Sequence, residues 1–544
     1  MRPRQVREDA YLFVVSGATD RRPSWLRLKR FRCSDAVNDE RLQKRITLKE
    51  GSMRRLLVLG LLAMCILGLA DLATAATEVR MTGDALVYGN FFANQNFTGW
   101  STASWNNNIP TWTGAGAQTE DRFQIWERFR LRSDFVANDV VKFRLGLKVV
   151  NDTWGHGTLT AANPTPSIKV YQAYLQYKWP GSDIEITAGL QELSLPANEF
   201  FCDSVVFGGD RAAGLVVRAP LYGETLSVST GFARLIDTNR TYDATTTQVG
   251  DELDLYFLAL PITAPGFKTT PWGALTVAGR DAAYYTTYSY ANTTFAENLL
   301  SAGTLLSPTK WKNNQNPYFW AGDTFEVTAL DPVKLYGDVV YGAGAVSDRR
   351  KSRRAGWFAD LGAEYTGLDM VTPQAFGWWS TGEDGSIHNG SERLPILESS
   401  WGPGNSFLFD TTQDLYMNSN LGMSAVGNWG LGASLDKIAF MEKLTHRLTF
   451  MYVHGNNASK AIRSLNVALG SNPYYQMGHD LTVEEQVMSV NFDNKYMLYD
   501  NLSLLLETGW AHGDFQKSVW GRRLVNASRD GDTWKVAFGL KYRY

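Results

Sequence analysis

The sequence predicts an all-β chain closed into a transmembrane antiparallel β-barrel of 16–18 strands, and three observations carry that reading. Strand-length segments alternate large apolar residues with charged or small ones. Their connections alternate between short and long. The last such segment runs to the final residue and ends in an aromatic. Side chains on a strand alternate faces with period two, so these segments have one greasy face and one charged face. Lipid outside and water inside satisfy both.

Taken in order, Met53-Arg54-Arg55 leads into fifteen uncharged, mostly apolar residues, Leu56 to Ala70, then Asp71 and the small-x-small site Ala73-Thr74-Ala75. These parts make a Sec-type signal peptide over 53–75, cleaved before Ala76. The apolar run is shorter than the ~20 residues a spanning helix needs. Residues 1–52 are arginine-rich without an amphipathic period, and Lys49-Glu50-Gly51 can be encoded by a purine run of the ribosome-binding kind just ahead of the Met53 codon. Translation is therefore expected to start at Met53. Residues 1–52 read as a gene-model extension outside the mature protein, and their basic residues imply no nucleic-acid partner.

Residues 1–75 hold 15 of the 53 basic and 8 of the 55 acidic residues, so 76–544 keeps 38 and 47 and carries a net charge of −9 rather than −2. Of three cysteines only Cys202 remains, which excludes an intramolecular disulfide and a cysteine-built metal site. No linker, low-complexity tract or repeat divides 76–544, which reads as one β-domain.

Within it, the segment 122–135 places Phe123, Ile125, Phe129, Leu131 and Phe135 on a lipid face and Arg122, Gln124, Arg128, Arg130 and Arg132 inward. In 141–149, Val141, Phe143, Leu145, Leu147 and Val149 oppose Lys142, Arg144 and Lys148. The inward cations form a candidate pore-lining stripe: a row of positive charge along a wet wall attracts anions, more strongly where water is scarce. Glu127 falls on the lipid parity, where a charge is costly away from an interface; a subunit contact would accommodate it.

Short turns are expected at Ala137-Asn138-Asp139, Pro180-Gly181-Ser182, Leu221-Tyr222-Gly223, Asp331-Pro332, Gly367-Leu368 and Asp500-Asn501, with Trp179 in the aromatic girdle of that rim. Nine long polar connections lie near 93–120, 152–166, 194–211, 237–250, 281–316, 345–355, 381–427, 456–483 and 514–531. Nine long loops imply eighteen strands with both termini on the short-turn, periplasmic side; sixteen strands is the alternative. The third long connection carries Glu199 and Asp203. It is a constriction element set against the basic stripe, or its charges merely solvate the lumen, or the loop stays outside.

In the last segment Trp534, Val536, Phe538, Leu540, Tyr542 and Tyr544 alternate with Lys535, Ala537, Gly539, Lys541 and Arg543. This ending resembles the C-terminal assembly signal of bacterial outer-membrane barrels, which the barrel-assembly machinery reads during biogenesis.

The segments TEVRMTGDALVYGNFFANQNFTGW (77–100), IWERFRLRSDFVANDVVKFRLGLKV (125–149) and VYQAYLQYKWP (170–180), with the aromatic C-terminus, look like the outer-membrane homotrimeric porins of sulfate-reducing bacteria. The resemblance runs over 76–544 and is strongest in the N-terminal third. It implies a homotrimer in outer-membrane lipid that passes small hydrophilic solutes; the inorganic or organic anions expected among them follow from the basic stripe and not from the resemblance. Residues 1–52 have no counterpart in it.

Catalytic chemistry finds no foothold. The six histidines, His156, His388, His446, His454, His479 and His512, show no H-E-x-x-H or other ligand spacing, and no glycine-rich phosphate loop precedes a helix. No cofactor or metal is expected. Two rivals remain: an outer-membrane barrel acting as scaffold or adhesin without an open pore, and a secreted Trp-rich β-sheet carbohydrate-active enzyme.

Overall fold

The computed structural model describes residues 78–94, 97, 122–155, 159–237, 250, 252–279, 298–301, 315–346, 350–403, 406–409, 421–469, 475, 477–527 and 531–544. The expected extension, signal peptide and cleavage site lie outside them.

Eighteen strands form the wall: β1 (Glu78–Ala93), β2 (Arg122–Asn138), β3 (Val141–Thr153), β4 (Ile168–Lys178), β5 (Glu185–Leu193), β6 (Asp210–Tyr222), β7 (Leu226–Asp237), β8 (Glu252–Ala259), β9 (Phe267–Gly279), β10 (Gln315–Val327), β11 (Val333–Ala345), β12 (Arg353–Tyr365), β13 (Thr372–Ser380), β14 (Asn428–Met441), β15 (Leu444–Gly455), β16 (Gln486–Tyr499), β17 (Leu502–Asp514) and β18 (Asp532–Arg543). Each pairs antiparallel with its chain neighbours, and β18 pairs with β1 from Arg543 opposite Asp84 to Trp534 opposite Ala93. The sheet is therefore closed and leaves no edge. After β8 the wall continues through a short Ile262–Ala264 segment that pairs with β9 and touches β7 at Leu226. The break falls at Pro261, which has no N–H to give the ladder.

Two-residue turns such as 139–140, 442–443 and 500–501 stand at one rim, and long connections at the other. The start of β1 and Tyr544 both lie at the short-turn rim.

The outer face is apolar in a band of leucine and valine, with Leu215, Leu275, Val339, Leu361 and Leu431 all exposed. Aromatics flank this band. At the long-loop rim Phe319, Tyr341, Trp357, Trp379, Trp429 and Tyr452 follow one another on β10 to β15. Ring centroids are 6.1 Å apart for Phe319–Tyr341, 4.8 Å for Tyr341–Trp357 and 5.7 Å for Trp429–Tyr452. At the short-turn rim Trp179, Tyr222, Tyr365, Tyr499 and Tyr544 are exposed. Two aromatic belts around an aliphatic band are what an amphipathic ring gains from sitting at a lipid–water boundary.

The interior is partly filled. The 194–209 connection and the described residues of the 381–427 connection bring Phe201, Val206, Phe207, Leu397, Trp401 and Phe409 against inward side chains such as Trp320, Phe358, Phe376, Trp378 and Met451. Trp401 sits at the centre, stacked on Phe201 at 5.5 Å and edge-on to Phe358 at 5.1 Å, Trp378 at 5.3 Å and Phe409 at 5.3 Å. Gly430 makes room for this cluster, since a Cβ there would come within 2.3 Å of the Trp378 ring. Among the described residues this core takes no side chain from β2, β3 or β4.

The 456–483 connection reads in sequence as a polar loop, yet it contains a helix, α1 (Ser459–Leu469). Ala461, Ile462 and Leu465 share one of its faces and are buried against Ile387, Tyr475 and Val519. The apolar spacing is short, and the helix is held by that contact rather than by its own length.

Candidate functional site

Strand pairing assembles a charged wall on the inner face of β1 to β4. The register sets Arg130 opposite Lys148 and Lys148 opposite Lys169, while Arg144 stands opposite Asp134. Each strand contributes through the same two-residue alternation that sends Phe129, Phe135 and Phe143 to the exposed outside.

Two acids divide this wall. Asp84 of β1 binds Arg130 at 2.6 Å through Oδ1 and Arg128 at 3.1 Å through Oδ2. Asp134 holds Arg144 by two parallel hydrogen bonds of 2.6 Å, the planar fork-to-fork geometry of a guanidinium on a carboxylate. Arg128 is buried, 4 % exposed, so its charge is spent inside the wall. Arg130 and Arg144 keep roughly a fifth of their side-chain surface in contact with solvent. Arg132, Lys142 and Lys148 form no ion pair among the described residues and are partly exposed. Six cations thus face two carboxylates. Arg122 opens β2, and its side chain lies outside the described residues.

Parity had singled out the cations but passed over their counter-charges. Asp134 sits at an inward position of β2 itself and Asp84 at one of the neighbouring β1, so both are legible by the same rule. Lys169, and Arg211 with its guanidinium 4.8 Å over the Tyr171 ring, extend the basic region past the expected stripe.

The 194–209 connection enters the barrel, but its acids do not stand opposite the basic wall. Its tip docks on the other side: the Asn198 backbone N–H donates to Asp338 Oδ1 at 3.1 Å, and its side-chain amide donates to Asp360 at 3.1 Å. Glu199 is exposed, and its field acts on Lys268 of β9 and Tyr336 of β11. Asp203 is turned into its own loop, where Oδ1 accepts the Ser204 N–H at 2.8 Å and Oδ2 the Ser194 hydroxyl at 3.2 Å. Burial pushes that carboxyl above the ordinary aspartate range. A tight loop needs acceptors for its own amides, and Asp203 supplies one.

Glu127 does face outward, where Oε2 accepts the indole N–H of Trp154 at 2.7 Å near the long-loop rim. Of the assembly-signal residues, Trp534, Phe538, Leu540, Tyr542 and Tyr544 are all exposed on the outer face. Tyr544 does more. Its backbone exchanges two hydrogen bonds with Gly83, of 2.9 and 3.2 Å, and its phenol donates to the Arg130 carbonyl at 3.2 Å. The terminal residue therefore ties β18 across β1 to β2. Gly83 permits this, because a Cβ there would lie 2.5 Å from the Tyr544 ring.

No family model matches the chain, and no curated protein does either. Solved structures similar to it include the outer membrane protein OprD of Pseudomonas aeruginosa, at 12% identity over 87% of this chain and 96% of that one, with a TM-score of 0.45. OccK11 (OpdR) of the same organism is 11% identical over 86% and 95%, with a TM-score of 0.45. An anion-selective porin from Comamonas acidovorans is 8% identical over 86% and 100%, with a TM-score of 0.38. At such identities and TM-scores these likenesses do not decide what this chain does.

Proposed function

We propose that the chain is an outer-membrane porin: a passive channel for small hydrophilic solutes that favours anions and assembles as a homotrimer. One observation carries the reading. A closed barrel with an apolar, aromatic-belted outside has partly exposed cations in excess on its inner wall, on β2 to β4, which among the described residues the interior core leaves uncovered. Lipid accounts for the outer face, and only water or a solute makes so charged an inner face affordable. The likeness to porins of sulfate-reducing bacteria supports the trimer and the channel together. In this reading the solute path is eccentric and runs between the loop core and the β2–β4 wall, with Arg130, Arg132, Lys142, Arg144 and Lys148 along it.

The aromatic core built by 194–209 and 381–427 favours a second reading, a barrel that is plugged and serves as scaffold or adhesin. Planar-bilayer recording of the purified protein in a salt gradient separates the two. A channel gives discrete conductance steps and a reversal potential on the anion side; a plugged barrel gives no steps. Gel mobility of unboiled, cross-linked protein reports the trimer.

A further inference from the structure

Three carboxylates meet on the connection between β13 and β14, far in sequence from the basic wall. One oxygen from each of Glu383, Asp384 and Glu392 lies within 4.8 Å of the others. Acids crowded in this way repel one another, and two are spaced apart only by the turn that carries them. Glu383 is 3 % exposed, and its Oε1 is buried without any hydrogen bond, whereas Oε2 accepts the Ser391 hydroxyl at 2.5 Å and the Tyr475 phenol at 3.4 Å. An orphaned carboxylate oxygen in that position costs the full desolvation of the group unless something positive meets it.

The charges of Arg393 and Arg354 act on Glu383 through space, but neither guanidinium hydrogen-bonds its Oε1. The Arg393 guanidinium binds Asp480 at 2.7 Å, the Ser424 hydroxyl at 3.0 Å and the Val426 carbonyl at 3.1 Å. Arg354 donates to the carbonyls of Leu300 and Leu394.

The frame around the acids is rigid. The Glu383 N–H donates to Asn457 Oδ1 at 3.1 Å, and its carbonyl accepts the Ala458 N–H at 2.8 Å. Ser391 extends the β12 ladder, donating to the Arg353 carbonyl at 2.7 Å and accepting from the Ala355 N–H at 2.9 Å. Asp384 is oriented by the Ser386 N–H and the Asn389 amide, each at 2.7 Å, and Glu392 by the Asp384 N–H at 3.2 Å. Each of these oriented oxygens keeps a lone pair to spare.

We propose that Glu383, Asp384 and Glu392 form a divalent-cation site of the calcium type that fixes the 383–392 part of the connection in its observed conformation. The donor set is all oxygen, as hard cations require. Calcium–oxygen bonds of about 2.3–2.6 Å place opposite ligands up to about 5 Å apart, which accommodates three oxygens within 4.8 Å of one another, and calcium tolerates the irregular geometry of such a set better than magnesium does. Backbone carbonyls and water complete the shell. The site stands apart from the channel reading, and its failure would leave that reading untouched.

Calorimetric titration of CaCl2 into the whole refolded protein, in detergent free of lipopolysaccharide and stripped with a chelator, tests it. The expected result is one calcium per chain and slower proteinase K cleavage within 383–392 when calcium is present. Glu392→Gln and Glu383→Gln should each weaken uptake by about tenfold or more, because affinity follows the charge count of the site. Glu383→Gln keeps the shape and the capacity to accept from Ser391 and Tyr475. A Glu383 that is merely a buried neutral acid therefore predicts no change in calcium uptake. Heat-modifiable gel mobility confirms that each variant is folded, and Glu392→Gln, at a less buried residue, decides the matter should Glu383→Gln not fold. Absence of saturable uptake by the folded wild type, or uptake unaltered in a folded variant, overturns the proposal.

Discussion

Removing charge from the β2–β4 wall should change which ions pass, and the ion pairs say which side chains to choose. Arg130→Ser and Arg144→Ser would each uncover a carboxylate, Asp84 or Asp134, now held at 2.6 Å, so they mix lost positive charge with released negative charge and lost structure. Arg132→Ser and Lys148→Ser make the cleaner perturbation, since neither residue forms an ion pair among the described residues and both are partly exposed. A unit charge about 5 Å from a passing ion is worth about 0.8 kcal/mol in water, and screening over a Debye length of ~10 Å at 0.1 M salt reduces that to about 0.5 kcal/mol. That energy lowers anion entry about twofold and raises cation entry by the same factor, or about fivefold in the permeability ratio per charge and roughly 25-fold for both. Reversal potentials in a salt gradient measure the ratio directly, and the shift should shrink as salt is raised to 1 M. An unmoved reversal potential in a folded double variant would show that this wall does not face the permeating ion.

Closure of the barrel offers a second check: deleting Tyr544, or Gly83→Val, should sharply lower the yield of folded, heat-modifiable protein, because the Tyr544 ring lies where that Cβ would go. Inside the wall Lys535 is wholly buried 3.3 Å from Glu507. Lys535→Met should cost about 3–5 kcal/mol in urea unfolding, and the double variant with Glu507→Gln should recover much of it, since the loss comes from stranding a buried charge. Trp401→Ala should cost about 3–5 kcal/mol through the cavity it leaves among Phe201, Phe358, Trp378 and Phe409; in the channel reading it also raises unit conductance. Edman sequencing of membrane-extracted protein is expected to begin at Ala76.

Strand parity and strand number were legible in the amino-acid order because both are local properties. A two-residue alternation separates Phe129 from Arg130 wherever the strand lies, and nine long connections between strand-length segments already imply eighteen strands. The outward aromatic C-terminus and the exposed Trp179 beside its turn follow from the same counting. What faces what across the interior is another matter. Asp84 meets Arg128 and Arg130 over separations of 44 and 46 residues, and Asn198 reaches Asp338 and Asp360 over 140 and 162. Such contacts exist only once the barrel has closed and set the height of every strand against its neighbours. The third loop was recognisable as a connection rich in acids, but its direction depended on the pocket that β11, β12 and Trp401 make for Asn198 and Phe201. Helix α1 was hidden for a related reason: three apolar residues are too few to hold a helix alone, and Tyr475 and Val519 come beside them only in the folded chain. Local alternation wrote the wall into the sequence, whereas closure decided what fills it and which of its charges are paired and which stay partly exposed.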